Sequence, residues 1–237
     1  MRIQNTKGVG IDKLKFLIFG DSGSGKTTLA GTIKEPTLVI SAEAGLLPLR
    51  NKNIDFIDIS LDDSGKMIPE YDRITRLAEV YKYIQKPDII EKYKWIYLDS
   101  LTEISNCLIA RLQKEFPDRS DALVLYGENN KQLKSIIKLF RDIPHYNIAM
   151  TALASLEKDE SGMRFKGVNV IGKLAHVIPS FFDEVLYLGI IEKDGESKRF
   201  LRCQPDERIS CKDRSGALNK FERPDLQLLV NKIKDSQ

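Results

Sequence analysis

The chain has 237 residues, 42% hydrophobic and 30% charged, the balance of a globular protein long enough to bury a real core. A net charge of +3 gives little whole-chain attraction for a polyanion, so any basic surface has to be local. No stretch approaches the roughly 18 apolar residues of a membrane span, and the opening MRIQNTKGVGIDKLKF has no apolar run of signal-peptide length, so the expectation is a cytoplasmic protein with no membrane partner. The cysteines, Cys107, Cys203 and Cys211, are odd in number and scattered, which argues for reduced thiols and against a disulfide framework. His145 and His176 sit near no cysteine in ligand spacing and read as structural or solvent-facing.

In chain order, apolar runs alternate with amphipathic stretches, which predicts an α/β protein with a mostly parallel sheet. KFLIFG (15–20) reads as a buried strand, followed by a glycine-rich loop and a helix from Lys26 to Ile33. TLVISAE (37–43) and IDFIDIS (54–60) read as further strands. Ile74, Leu77, Tyr81 and Ile84 repeat at helical spacing between Tyr71 and Gln85. KWIYLD (94–99) is a strand ending in an acid. Leu101, Ile104, Leu108 and Leu112 mark the next helix; Leu133, Ile136, Ile137 and Phe140 mark another, stopped near Pro144. YNIAMTALAS (146–155) is a strand, SLEKDESGMRFKGVNVIG (155–172) a polar loop, and 173–181 a short helix. EVLYLGI (184–190), the turn KDGE (193–196) and KRFLRC (198–203) predict a hairpin, with Asp-Gly inside the turn. DLQLLVNKIK (225–234) is a closing amphipathic helix. With no repeat, low-complexity tract or linker, residues 1–237 read as a single domain.

GDSGSGKT fits the phosphate-loop pattern G-x-x-x-x-G-K-[ST]. Gly20, Asp21, Ser22, Gly23, Ser24, Gly25, Lys26, Thr27 and Thr28 are therefore the candidate nucleotide-binding residues. The glycines let backbone N–H groups close around phosphate oxygens at the start of a helix. Lys26 is expected to reach the outer phosphates of ATP and Thr27 to ligate Mg²⁺. Asp99 is the natural second metal residue, and it also suits a helix N-cap. Many P-loop ATPases place a Glu directly after this Asp; here the position is Ser100. The water-polarising acid is then sought elsewhere. Glu43, just past TLVISAE and expected beside the phosphate-loop strand, is the best candidate against an ordinary exposed loop Glu, with Glu103 a weaker rival.

These residues resemble a known family. LVISAEAGLLPL is similar to the strand of RecA-type recombinases that ends in their catalytic glutamate, and WIYLDS is similar to their Walker B strand. The order of parts matches over roughly residues 13–232. At this size the chain looks most like the phage RecA-like single-strand annealing proteins of the Sak group. The resemblance implies a RecA-like P-loop NTPase core, with a mostly parallel central sheet flanked by helices and a C-terminal β-hairpin. It implies an ATPase in a phage or bacterial host cytoplasm, with Glu43 activating water and Mg²⁺ and ATP bound at the loop. It makes 155–172 a mobile DNA-binding loop and Pro117–Gly127 the counterpart of an earlier one. ISCKDRSGAL (209–218) is similar to a segment that reaches a neighbour's ATP, which gives Lys212 and Arg214 a trans-acting role. TALAS holds no Gln where those recombinases place their γ-phosphate sensor.

In the loop 155–172, Lys158, Arg164 and Lys166 with Phe165 between two cations, and Lys173 just beyond, suit single-stranded DNA: cations follow phosphates and the ring stacks on a base. A solvated surface loop fits the same composition. The functional expectation is an ATP-binding recombination protein, a homo-oligomer working with single-stranded DNA and with a single-strand binding protein as a further partner. A nucleotide-dependent assembly module with little turnover and a small P-loop kinase, its lid at 155–172, are the alternatives. The charges of Arg73, Arg76, Lys131, Lys134 and Lys138 read as solvated helix faces.

Overall fold

The computed structural model of the protein describes residues 13–43, 45–117, 121–158, 162, 164–170, 174–193 and 195–236, and leaves out the side chains of 157, 158, 164, 165 and 193. The strands are β1 (Lys15–Gly20), β2 (Thr37–Ser41), β3 (Asp55–Asp58), β4 (Trp95–Asp99), β5 (Asn147–Lys158), β6 (Arg164–Val168), β7 (Glu184–Lys193), β8 (Glu196–Arg202), β9 (Lys212–Asp213) and β10 (Phe221–Glu222). The helices are α1 (Lys26–Ala30), α2 (Arg73–Tyr83), α3 (Pro87–Lys92), α4 (Leu101–Glu115), α5 (Ala122–Arg141), α6 (Leu174–Val177) and α7 (Leu226–Asp235).

The sheet runs β10-β8-β7-β1-β5-β4-β2-β3, with β6 paired to β5 and β9 to β7. Strands β7, β1, β5, β4, β2 and β3 are parallel, and β8, β9 and β10 add antiparallel pairs on the β7 side. Buried on both faces, β1, β2 and β4 read as near-continuous apolar runs, whereas β3, at the edge, exposes Asp55 and Phe56. Their side chains alternate between two cores. Leu17, Phe19, Ile40, Leu98 and Met150 pack with Leu77, Leu108, Leu133 and Ile137 from α2, α4 and α5. Phe16, Ile18, Val39, Trp95 and Tyr97 pack with Leu29 of α1 and Leu226, Leu229 and Ile233 of α7. This is the expected α/β architecture, a mostly parallel central sheet flanked by helices, with the antiparallel hairpin β7–β8 near the C-terminus.

Several boundaries differ from expectation, each for a local reason. Helix α1 stops at Ala30 instead of Ile33, because Thr32 Oγ1 donates to the Leu29 carbonyl (2.7 Å) and the chain closes into tighter turns there. Helix α3 was not expected; Pro87 at its first turn has no N–H to lose. The segment Pro117–Gly127, expected as a loop, enters helix α5 from Ala122, capped by Asp121 through its bond from Leu123 N (2.9 Å). The expected loop 155–172 is, in its described part, a hairpin: β5 runs on to Lys158 and pairs antiparallel with β6. Strand β2 is not beside β1; β5 and β4 lie between them.

At the base of β7, Glu184 is 1% exposed. It accepts a bond from Ser215 N (3.1 Å), and its second oxygen has no partner among the described residues. Burial, with Asp213 beside it, pushes its carboxyl up to about 8 from an ordinary 4.5. The folded state then holds a proton that the unfolded chain releases, so this group's contribution to stability falls as pH rises between those two values. Glu184→Gln is expected to flatten that slope and to raise stability at pH 9 by on the order of 2 kcal/mol. Urea midpoints at pH 5 and pH 9 test it; a variant that parallels the wild type at both removes the assignment.

Candidate functional site

The phosphate loop joins β1 to α1 at the C-terminal edge of the sheet. Its shape needs its glycines. A Cβ on Gly20 would meet the Leu188 carbonyl oxygen at 2.5 Å, so β7 leaves no room for a side chain there. Gly25 has φ +104°, a left-handed conformation that L side chains rarely adopt. Lys26, 7% exposed, donates from Nζ to the carbonyls of Gly20 (2.9 Å) and Asp21 (3.0 Å). Burial lowers its pKa, opposed by the carboxylates of Glu43, Asp99 and Asp21. The start of α1 is pinned from below by Tyr97, whose fully buried hydroxyl donates to the Lys26 carbonyl (2.6 Å). Asp21, Ser22, Gly23 and Thr28 are exposed around the loop, whereas Ser24 is buried with its hydroxyl unpartnered among the described residues.

Asp99 ends β4 and is 2% exposed. It accepts from Thr27 Oγ1 at 2.6 Å, and its other oxygen accepts from Thr151 Oγ1 on β5. A carboxylate and a hydroxyl held in contact at the mouth of a phosphate loop, with an orphaned buried hydroxyl at Ser24, fit Mg²⁺ bound with nucleotide phosphates: hard oxygen donors, few of them from protein. The helix cap is Ser100, not Asp99: its side chain accepts from Glu103 N at 3.4 Å, and the peptide between the two is cis.

The same Ser100 hydroxyl donates to Glu43 Oε1. Glu43 thus reaches the site although its strand is separated from β1: the C-terminal ends of β2 and β4 are neighbours, with Ser41 opposite Asp99. Glu43 is exposed. Its rival Glu103 is engaged by Arg73 (3.4 Å) on α2.

Other expected residues are placed differently. Lys166 lies at the phosphate loop: its Nζ contacts Asp21 Oδ2 (2.7 Å) and the Tyr187 hydroxyl (2.8 Å). The side chains of Lys158, Arg164 and Phe165, and all of Lys173, lie outside the described residues. Lys212 opens β9 and Arg214 directly follows it; β9 pairs with the first residues of β7, at the edge of the sheet opposite the phosphate loop. There Lys212 Nζ donates to the Phe182 carbonyl (2.6 Å) and Arg214 pairs with Asp183 (2.6 Å). Neither can serve its own chain's phosphate loop.

Three contributors escaped the sequence reading. Thr151 sat inside an apolar strand, where a lone hydroxyl was the available signal. Tyr187 carries no local signal beyond its place in the apolar strand EVLYLGI. Arg199, on β8, donates from Nε to the Ser24 carbonyl (2.9 Å) and lies against Gly25; nothing local marks it. A cleft of about 750 Å³ between β3 and α2 contains none of the phosphate-loop residues, so the chemistry, not the volume, locates the site.

Among the described residues no helix is long and apolar enough to cross a membrane. No curated protein matches the sequence. A solved structure of a KaiC-like protein from the hyperthermophilic archaeon Pyrococcus horikoshii OT3 is similar at 16% identity, over 80% of this chain and 78% of that one, with a TM-score of 0.44. The family model described as an AAA domain matches residues 12–215, from just before the phosphate-loop strand to just past Arg214, and the chain belongs to that family.

Proposed function

We propose that the protein is an ATPase that hydrolyses Mg-ATP and acts on single-stranded DNA, promoting annealing or strand exchange as a homo-oligomer. The observation that carries the ATPase part is the Glu43–Ser100–Asp99 arrangement facing the phosphate loop. Lys26 and the loop backbone bind the outer phosphates. Thr27 and Asp99 would hold Mg²⁺, which supplies charge neutralisation as the terminal phosphoryl departs. Glu43 is held by Ser100 at one oxygen and is exposed, so its other oxygen can take a proton from a water attacking that phosphoryl. The DNA part is supported by the resemblance in motif order to the RecA-like annealing proteins. Lys212 and Arg214 suit a neighbour's ATP, since they lie at the far edge of the sheet.

The test is steady-state ATP hydrolysis titrated with single-stranded DNA at low and moderate salt. Stimulation that weakens as salt rises is expected, because released counterions drive phosphate contacts. A flat response with hydrolysis intact removes the DNA part and leaves the ATPase. A second reading, an assembly module with little turnover, is favoured by TALAS, which has no Gln to sense the γ-phosphate. Its signature is ATP-dependent oligomerisation without hydrolysis.

A further inference from the structure

The phosphate loop is tied to the β5–β6 hairpin by one cluster. Lys166 Nζ contacts Asp21 Oδ2 at 2.7 Å and the Tyr187 hydroxyl at 2.8 Å, and that hydroxyl donates to the same Asp21 oxygen at 3.1 Å. Asp21 is the residue whose carbonyl also accepts from Lys26 at 3.0 Å. Two ammonium groups therefore meet at one loop residue, one at its carbonyl and one at its carboxylate. Tyr187 is the fixed member: it is buried, with its ring 5.4 Å from that of Phe19 and 6.4 Å from that of Phe200.

We propose that Lys166 reads the state of the nucleotide, exchanging the Asp21 carboxylate for the terminal phosphate of ATP and moving β6 as it does so. The proposal rests on the ATP-binding reading above. Three features favour it. First, the Lys166–Asp21 pair is partly exposed, at 36% and 59% of the side chains, and such pairs hold weakly. A triphosphate presents more negative charge than a single carboxylate and competes for the ammonium at short range. Second, the exchange strands no group. With Lys166 on the phosphate, Asp21 keeps the Tyr187 hydroxyl as donor. Third, Lys166 is held on both sides of its backbone. It pairs with Leu156 of β5, its N–H donates to the Arg208 carbonyl (2.6 Å), and its carbonyl accepts from Ser210 N (3.2 Å). A displacement of this residue is therefore shared by the hairpin and by the segment that leads to Lys212.

Burial works against the charge on Lys166, but its bonds to Asp21 and Tyr187 outweigh this and raise its pKa, so the cation is present throughout the neutral range. The bond from Lys166 in turn holds the Asp21 carboxyl below its ordinary range.

The experiment compares ATP and ADP affinity, by calorimetry, with hydrogen exchange of residues 164–168 and 208–210 in each complex. Wild type is expected to bind both nucleotides and to show different protection of these segments with each. Lys166→Ala should weaken ATP about tenfold and ADP by less than about twofold, because only ATP offers the outer phosphate. It should also abolish the difference in exchange. Lys166→Arg should keep most of the ATP preference. In Asp21→Asn, β6 should lose protection with ADP and regain it with ATP, which then supplies the missing anion. A Lys166 that only braces the loop would instead weaken both nucleotides equally and leave the exchange difference in place, and that result overturns the proposal. Wild type that binds neither nucleotide overturns the ATP-binding reading itself and this proposal with it.

Discussion

Lys26→Ala is expected to lose ATP binding, with affinity falling about 100- to 1,000-fold, or on the order of 3–4 kcal/mol. The reason lies in the charges around it. Asp21, Glu43 and Asp99 all act on the Lys26 ammonium, so without that cation a polyphosphate would enter a site dominated by carboxylates. The ammonium is also prepositioned: it is 7% exposed and held at 2.9 and 3.0 Å by two loop carbonyls, so little side-chain freedom is lost on binding. The fold itself should survive, because the start of α1 is anchored independently by Tyr97 to the Lys26 backbone carbonyl. The check is calorimetric titration with Mg-ATP beside a thermal melt without nucleotide. Loss of binding with an unchanged melt assigns the loss to the site. Wild-type affinity in the variant would mean that the loop does not bind phosphate.

What the sequence disclosed follows the range of the interactions. The phosphate loop is a cradle made from consecutive residues, so GDSGSGKT carries its own geometry. Asp99 was legible because a strand ending in an acid is a local pattern. Glu43 was legible as a strand-end acid, but its neighbour was not: the insertion of β5 and β4 between β1 and β2 is a property of the whole sheet. Lys166, Arg199 and Thr151 reach their partners across 145, 175 and 52 residues, and no window of sequence contains such pairs. The β5–β6 hairpin is hidden in the sequence because the alternation that marks a half-buried strand is weak there. Leu156 is 60% exposed, and the flanking sequence EKDESG is polar throughout.

Glu43→Gln is expected to bind ATP within about twofold of wild type and to lose about 100- to 10,000-fold in turnover, the range for removing a general base. The substitution is nearly isosteric, and its amide oxygen can still accept the Ser100 hydroxyl, so the side chain stays where it is. What it loses is the capacity to take a proton. Glu103 supplies the contrast. It is one helical turn past Asp99, but Arg73 engages it, and its role is to link α4 to α2. Glu103→Gln should therefore change turnover little and, if anything, lower stability slightly. Single-turnover hydrolysis, with each variant in saturating excess over ATP, separates chemistry from binding and from product release. Full activity in Glu43→Gln together with loss in Glu103→Gln would exchange the two roles. Full activity in both would place the base outside these carboxylates and remove the strongest argument for hydrolysis at this site. Ser100→Ala tests the link between them. If Ser100 acts by orienting Glu43, its loss should lower turnover by less than the loss of Glu43 and should add nothing in the Glu43→Gln background, because neighbours that act through one group are not additive.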